Sequence, residues 1–425
     1  MRTILLFFVP VFSLLISCSK NTTNYSSGAN RGSYDTTVTG KTYIITNYGA
    51  STGFSDNTVY VQKTIDSCSA AGGGTVIVPA GTFLCGPVTL NSNITFILQS
   101  GAVLKALPYS AYPGAGTATV TSFINGNGAN NITITGTGTI EGQGSDWWTA
   151  YNNNNAIARP SMIRVTKCTH VTISNITIQN APNVHVSIEK SCDNVNITGL
   201  TINSPSTSPN TDGIDTWAPD VTISNCTISD GDDNIAVDSY SSNIHIKNCT
   251  FGTGHGCSIG SYTVGVHDVT VDSCTFTNTT NGIRIKSERG RSGIVQNMSY
   301  SNITMKGVTN PIYIVAYYPK TPSTPTADSA QAITSTTPDY MNITLKNITI
   351  TGSPNAGTIW GLPEVSVSNI TFDNVQISAT KGMVANFVTG AVFKNGSRIT
   401  VSSGNAITTY NAAISGINLA TGAPQ

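Results

Sequence analysis

Charge is what this 425-residue chain has least of: Asp, Glu, Lys and Arg make up only 10% of it, against roughly a quarter of an average protein. The 21 acids balance the 21 bases, so the formal net charge is zero. That balance excludes a nucleic-acid binder working through a basic surplus, although a local pair of cations can still grip an acidic ligand. Metal signatures are missing too. There is no Cys-x-x-Cys or His-x-x-x-His cluster, so we expect no metal and no cofactor. The repeat region has no long run with 3.6-residue periodicity, which excludes a helical solenoid. The apolar run Ile4 to Ile16 is too short to span a membrane comfortably.

What is present is repetition. One alternating phrase spans His170 to Ile178, then returns at Asn194 to Ile202, Asp220 to Ile228, Asn243 to Phe251 and Asp268 to Phe276. Weaker copies start near Asn131, Asn297, Asn342 and Ser366. The anchors Val171, Val195, Val221, Ile244 and Val269 give a period of 23 to 26 residues. Such a period signals a solenoid, and two-residue alternation rich in Val, Ile and Thr signals strands. The chain therefore reads as all-β, a single-domain parallel β-helix from about Thr42 to about Asn418 (domain 41–425). Cys226, Cys249 and Cys274 share one offset from their anchors and form a candidate core ladder. Open coils need closing. Thr58 to Ala70, with Val61, Ile65 and Cys68 on one face and Gly72-Gly73-Gly74 behind it, is the candidate N-terminal capping helix.

The first residues read as a targeting segment. Residues 1–17 form a signal peptide, and Leu15-Ile16-Ser17-Cys18 resembles a bacterial lipobox, which implies a lipidated Cys18. Residues 18–40, rich in Ser, Asn, Thr and Gly, read as a flexible tether. The expectation is an exported protein, lipid-anchored to a bacterial membrane at the periplasm or cell surface, and otherwise monomeric. Eight cysteines follow Cys18. Export invites disulfides, while the ladder favours buried thiols, and both remain open. Sequons such as Asn131-Ile132-Thr133 read as turn and strand residues rather than glycan sites.

Four polar signatures fall on four successive repeats: Asn210-Thr211-Asp212, Gly231-Asp232-Asp233, Gly254-His255-Gly256 and Arg284-Ile285-Lys286. Stacked coils would put them on one face. Adjacent Asp232 and Asp233 would point apart in a regular strand, so a bend at Gly231 is needed for both to serve one cleft. Clustered acids repel, so at least one should hold its proton above the usual range. That suits cleavage of a glycosidic bond, which needs an acid beside an ionised carboxylate. His255 and Asp232 lie at the same offset from their anchors, so the histidine should stack beside the acid and help it keep its proton. Arg284 and Lys286 share a strand face and suit a carboxylated sugar.

These signatures are similar to those of glycoside hydrolase family 28, the polygalacturonases. Asn47-Tyr48-Gly49-Ala50, Ala71 to Val76, Gly136 to Gly144 with Trp147-Trp148, and Tyr317-Tyr318-Pro319-Lys320 extend the resemblance over most of the chain. It implies a right-handed β-helix and hydrolysis of α-1,4 galacturonosyl linkages in pectin with inversion. It implies Asp232 as general acid, Asp212 and Asp233 as holders of the water, and His255 as support for Asp232. It further implies Asn210, Arg284, Lys286 and Tyr318 as substrate-binding residues, with Tyr317 the competitor for the last place. Inversion leads us to expect roughly 6.5–9.5 Å between Asp232 and the water-holding pair. Asn234 stands where many relatives carry cysteine. The alternatives are a hydrolase of rhamnogalacturonan or xylogalacturonan, a pectate lyase, or a glycan-binding adhesin. Loops that would decide between chain-end and internal cleavage include Trp147-Trp148 and Lys320 to Tyr340.

Overall fold

A computed structural model describes residues 40–425. The expected signal peptide (1–17), the tether apart from Gly40, and Cys18 lie outside the described residues.

Strands follow one another around a right-handed parallel β-helix, and each pairs in parallel with its counterpart one coil on. The sequence anchors are register partners: Val171 pairs with Val195, then Val221, Ile244 and Val269. Alternation explains the core. In the strands Ile163–Thr166, Val186–Ile188, Ile214–Thr216, Ile235–Val237, Cys257–Ile259, Asn281–Lys286 and Asn310–Val315, one row points inward. It runs Ile163, Val186, Ile214, Ile235, Cys257, Ile283 and Ile312, all buried. The neighbouring row, from Arg164 through Ser187, Asp215 and Ser258 to Arg284 and Tyr313, points away from the core and floors the side of the coils, the cleft side, that carries the polar signatures.

Between strands the chain turns on left-handed residues, and asparagine tolerates that conformation best after glycine. Asn131, Asn297, Asn302, Asn342, Asn347 and Asn369 all sit at φ between 53° and 62°. Their amides stack along the helix, as in Asn369 to Asn342 to Asn297 at 3.3 Å per step. The sequons are thus turn ladders, as their pattern suggested. Helix α1 (Thr58–Ala70) covers the first coil with Val61, Thr64, Ile65 and Cys68 buried. All eight cysteines after Cys18 are buried free thiols, which settles the open choice in favour of apolar packing. Helix α2 (Gly144–Asn153) precedes the cleft strands. Its Trp147 is fully buried, edge-on to Tyr109 and Tyr112. It anchors α2 in the core and is therefore not the cleft-closing side chain that the sequence suggested.

Candidate active site

The first three signatures converge because each falls just before the same strand of its coil, and Arg284 and Lys286, within that strand on the fourth coil, reach back to Asp233. Asn210 to Asp212 lead into Ile214–Thr216, Asp232 and Asp233 into Ile235–Val237, and His255 into Cys257–Ile259. Asp232 and Asp233 occupy a bend rather than a strand, so both carboxylates serve one site. Close-lying groups of Asp232, Asp233 and His255 are within 4.8 Å of one another. His255 Nδ1 is 2.8 Å from Asp232 Oδ1, and Asn210 Nδ2 donates to Asp232 Oδ2 at 3.1 Å. The turn that carries His255 requires its glycines. Gly254 is left-handed (φ 123°), and a Cβ there would lie 2.4 Å from Asn234 Nδ2. Asn234 secures this turn by donating to Thr253 O at 2.7 Å and accepting from Gly256 N at 2.9 Å.

Asp233 is 3% exposed and takes three donors. Arg284 Nη1 and Ser258 Oγ reach Oδ1 at 2.7 and 2.6 Å, and Lys286 Nζ reaches Oδ2 at 2.8 Å. In the free protein, the cations expected to bind the substrate are taken up by Asp233. Arg284 and Lys286 rise from the floor and close on Asp233, because a buried carboxylate without partners would be far costlier than a solvated one. One carboxylate oxygen of Asp232 lies within 4.8 Å of one of Asp233. Tyr318 is the tyrosine at the site, its ring centre 5.3 Å from Lys286 Nζ. Tyr317 turns away and donates its hydroxyl to Asp328 at 2.8 Å.

The acids divide in protonation. Desolvation pushes Asp212 well above the usual carboxyl range, reinforced by the charges of Asp232 and Asp233. Burial also pushes Asp232 upward, but the His255 hydrogen bond and the charges of His255, Lys286 and Arg284 outweigh it and hold Asp232 below its ordinary value. Of these two, it is Asp212 that clustering and burial raise, and not Asp232. His255 favours the ionised form of Asp232 rather than keeping its proton. Asp230, fully buried, is pushed up by desolvation and accepts the Asp232 backbone N–H at 3.2 Å. Sequence reading missed Asp230, Ser258 and Arg159. Arg159 Nη2 donates to Asn210 Oδ1 at 2.9 Å from 51 residues away, and no periodic signal marks such a contact.

The chain is similar to known proteins in sequence and in fold. The sequence profile described as glycosyl hydrolases family 28 matches residues 68–393. An endo-polygalacturonase of Pectobacterium carotovorum subsp. carotovorum is 35% identical over 320 residues, covering 68% of this chain and 76% of that protein. An exopolygalacturonase of Zea mays is 32% identical over 378 residues, covering 84% and 87%. Among solved structures, the polygalacturonase from Erwinia carotovora ssp. carotovora superposes with a TM-score of 0.63 at 30% identity, over 84% of this chain and 93% of that one. With the profile matching well over half of its length, the chain belongs to glycoside hydrolase family 28 and is a polygalacturonase-like enzyme.

Proposed function

We propose that the enzyme hydrolyses α-1,4 galacturonosyl linkages in the polygalacturonan backbone of pectin. The observation that carries this is the convergence of Asp212, Asp232, Asp233, His255, Arg284 and Lys286 from four coils onto one spot of an open cleft. Asp232 gives its proton to the glycosidic oxygen. Asp212 and Asp233 hold the attacking water; the proton that Asp212 favours passes to Asp232, which leaves the Asp212 carboxylate free to take the water's proton. Asn210 and Tyr318 contact the sugar.

Electrostatics set a condition on this reading. In the free enzyme Asp232 is held below the ordinary carboxyl range and Asp212 is pushed well above it, and such coupled groups titrate as a set. A galacturonate chain brings negative charge against Asp232, and a neighbouring like charge raises a carboxyl's pKa. Substrate binding thereby loads the proton donor. A neutral glycan would not, so the device itself favours an anionic substrate.

The purified enzyme should release reducing ends from polygalacturonan and fail on neutral glycans. Monomer alone among the early products means chain-end cleavage; a ladder of oligomers means internal cleavage. Release from rhamnogalacturonan or xylogalacturonan, with polygalacturonan untouched, would refute the substrate. Inversion is the family's expectation, and the close approach of Asp232 to Asp233 does not itself select it. Proton NMR of the first-formed sugar should show the anomer opposite to the substrate bond. For location we propose a lipid anchor at Cys18, so Cys18→Ser should release the protein from membranes or block its processing.

A further inference from the structure

Arg159 has no role in the reading above. It lies in the segment between α2 and the strand Ile163–Thr166 and is 8% exposed. A buried guanidinium needs acceptors, and this one has them. Nη1 donates to the carbonyls of Pro182, at 2.9 Å, and Pro209. Nη2 donates to Asn210 Oδ1 at 2.9 Å. The guanidinium carbon also sits 3.7 Å from the ring centre of Tyr151 in α2.

Asn210 is the link onward. Its backbone is left-handed (φ 51°), and its Nδ2 donates to Asp232 Oδ2 at 3.1 Å while His255 holds Oδ1. An amide has an accepting end and a donating end, and arginine can only donate. The Asn210 oxygen must therefore face Arg159, which leaves the NH2 end for Asp232. We propose that Arg159 is a positioning residue for the hydrolysis: it fixes the Asn210 amide so that the Asp232 carboxyl is oriented from both sides. This rests on the reading of Asp232 as the proton donor.

Without Arg159 the amide is free to turn over and present its oxygen to Asp232. An acceptor oxygen disfavours the carboxylate and welcomes the protonated acid. The groups facing Asp232 are Asp212, Asp215, Asp233 and His255, with Arg284 and Lys286 as cations and Arg159 behind Asn210. Losing the Arg159 charge and losing the amide donor both push Asp232 the same way, upward. Rate should fall because the proton is misaimed, while its pH range should extend toward alkali.

The test is a double-mutant cycle on the full chain with polygalacturonan. Arg159→Met should lower kcat by roughly 10- to 100-fold, with KM within about twofold. Its alkaline limb should move up by roughly half to one pH unit. Arg159→Lys also donates only, and should recover part of the rate. In an Asn210→Ala background, Arg159→Met should cost less than about twofold more. If Arg159→Met does not fold, Arg159→Lys keeps the buried charge and completes the same cycle. Additive losses, an unmoved alkaline limb and a lowered Tm would mark Arg159 as plain scaffold and overturn the inference. Asp232→Asn decides which reading has failed. If it is inactive and the cycle is additive, this inference alone falls; if it keeps its kcat, the proton-donor reading falls and takes this inference with it.

Discussion

The coils that carry the site and the coils that follow it are built from the same repeat and spend it differently. From Ile214 to Ile259 the strands are 2 to 6 residues long and end in bends. The last three strands, Asp339–Trp360, Val367–Lys394 and Arg398–Ser415, run 22, 28 and 18 residues with hardly a break. The breaks before Ile214, Ile235 and Cys257 carry Asp212, Asp232 with Asp233, and His255, and desolvation raises the pKa of Asp212, Asp215, Asp230 and Asp238 in this region. Asp215 Oδ1 and Asp230 Oδ2 are buried without a partner. The second region carries asparagine ladders and apolar stacks. Continuous strands supply stability, and broken ones create the places where costly acids can be held. A solenoid can carry both because each coil leans only on its neighbours.

The sharpest way to break this contrast is to remove one acid. Asp232→Asn should lower kcat on polygalacturonan by roughly 10²- to 10⁴-fold, the range of a general acid, while Tm hardly moves. Steady-state kinetics with a calorimetric scan checks both. Loss of fold instead of rate would mean the bends are structural after all.

The mirror experiment strikes the continuous coils. Phe372 is fully buried and stacks on Phe393 with ring centres 4.1 Å apart and planes 2° apart. Phe372→Ala should cost about 3–5 kcal/mol of stability, read from denaturant unfolding, with kcat of the folded enzyme within about twofold of the parent. A proportionate fall in kcat would show that the two regions are not independent.

Lys286→Ala probes the junction between site and floor. Charge-assisted bonds are worth roughly 1.5–3 kcal/mol each, so kcat/KM should fall by about 10- to 150-fold. Lys286 is 5% exposed and bonded to Asp233. The loss should therefore lie mainly in kcat and be equal on polygalacturonan and on heavily methyl-esterified pectin. A loss that shrinks with esterification would restore the picture of Lys286 as a clamp on the substrate's carboxylate.

That Lys286 is a test at all shows where sequence reading stops. Coil and face were legible because register is periodic: Val171 to Val269 stack as their spacing required, and Asp232 and His255 meet from equal offsets. Partner choice within a face was not legible. Nothing in Arg284-Ile285-Lys286 says whether the cations point to a ligand or fold back on Asp233. Arg159 and Trp147 escaped because they lie in the non-repeating stretch before the cleft strands, where no neighbouring coil predicts a position.

The smallest expected effect separates the regions by sign. Asp238 is 7% exposed, and burial pushes its carboxyl up to about 7 from an ordinary 3.8. Above pH 7 it is ionised in both folded and unfolded chains, so the folded state bears the full desolvation cost. As pH falls below about 7 the folded state takes up a proton first, and stability rises until the unfolded carboxyl titrates near 4. Asp238 Oδ1 accepts the Tyr262 N–H at 3.1 Å, an acceptor that asparagine retains. Asp238→Asn should therefore raise Tm by roughly 1–4 °C at pH 8, with the gain fading toward pH 4. Asp373, in the continuous coils, is the opposite case. The Asn395 hydrogen bond, aided by the charge of Lys394, holds it below its ordinary value. It contributes stability that is present above pH 4 and lost as pH falls through its folded pKa, so Asp373→Asn should lower Tm slightly at pH 8. Thermal scans of both variants from pH 4 to 8 should show differences of opposite sign; two differences of the same sign would show that the acids in the cleft are no more costly than those on the ladders.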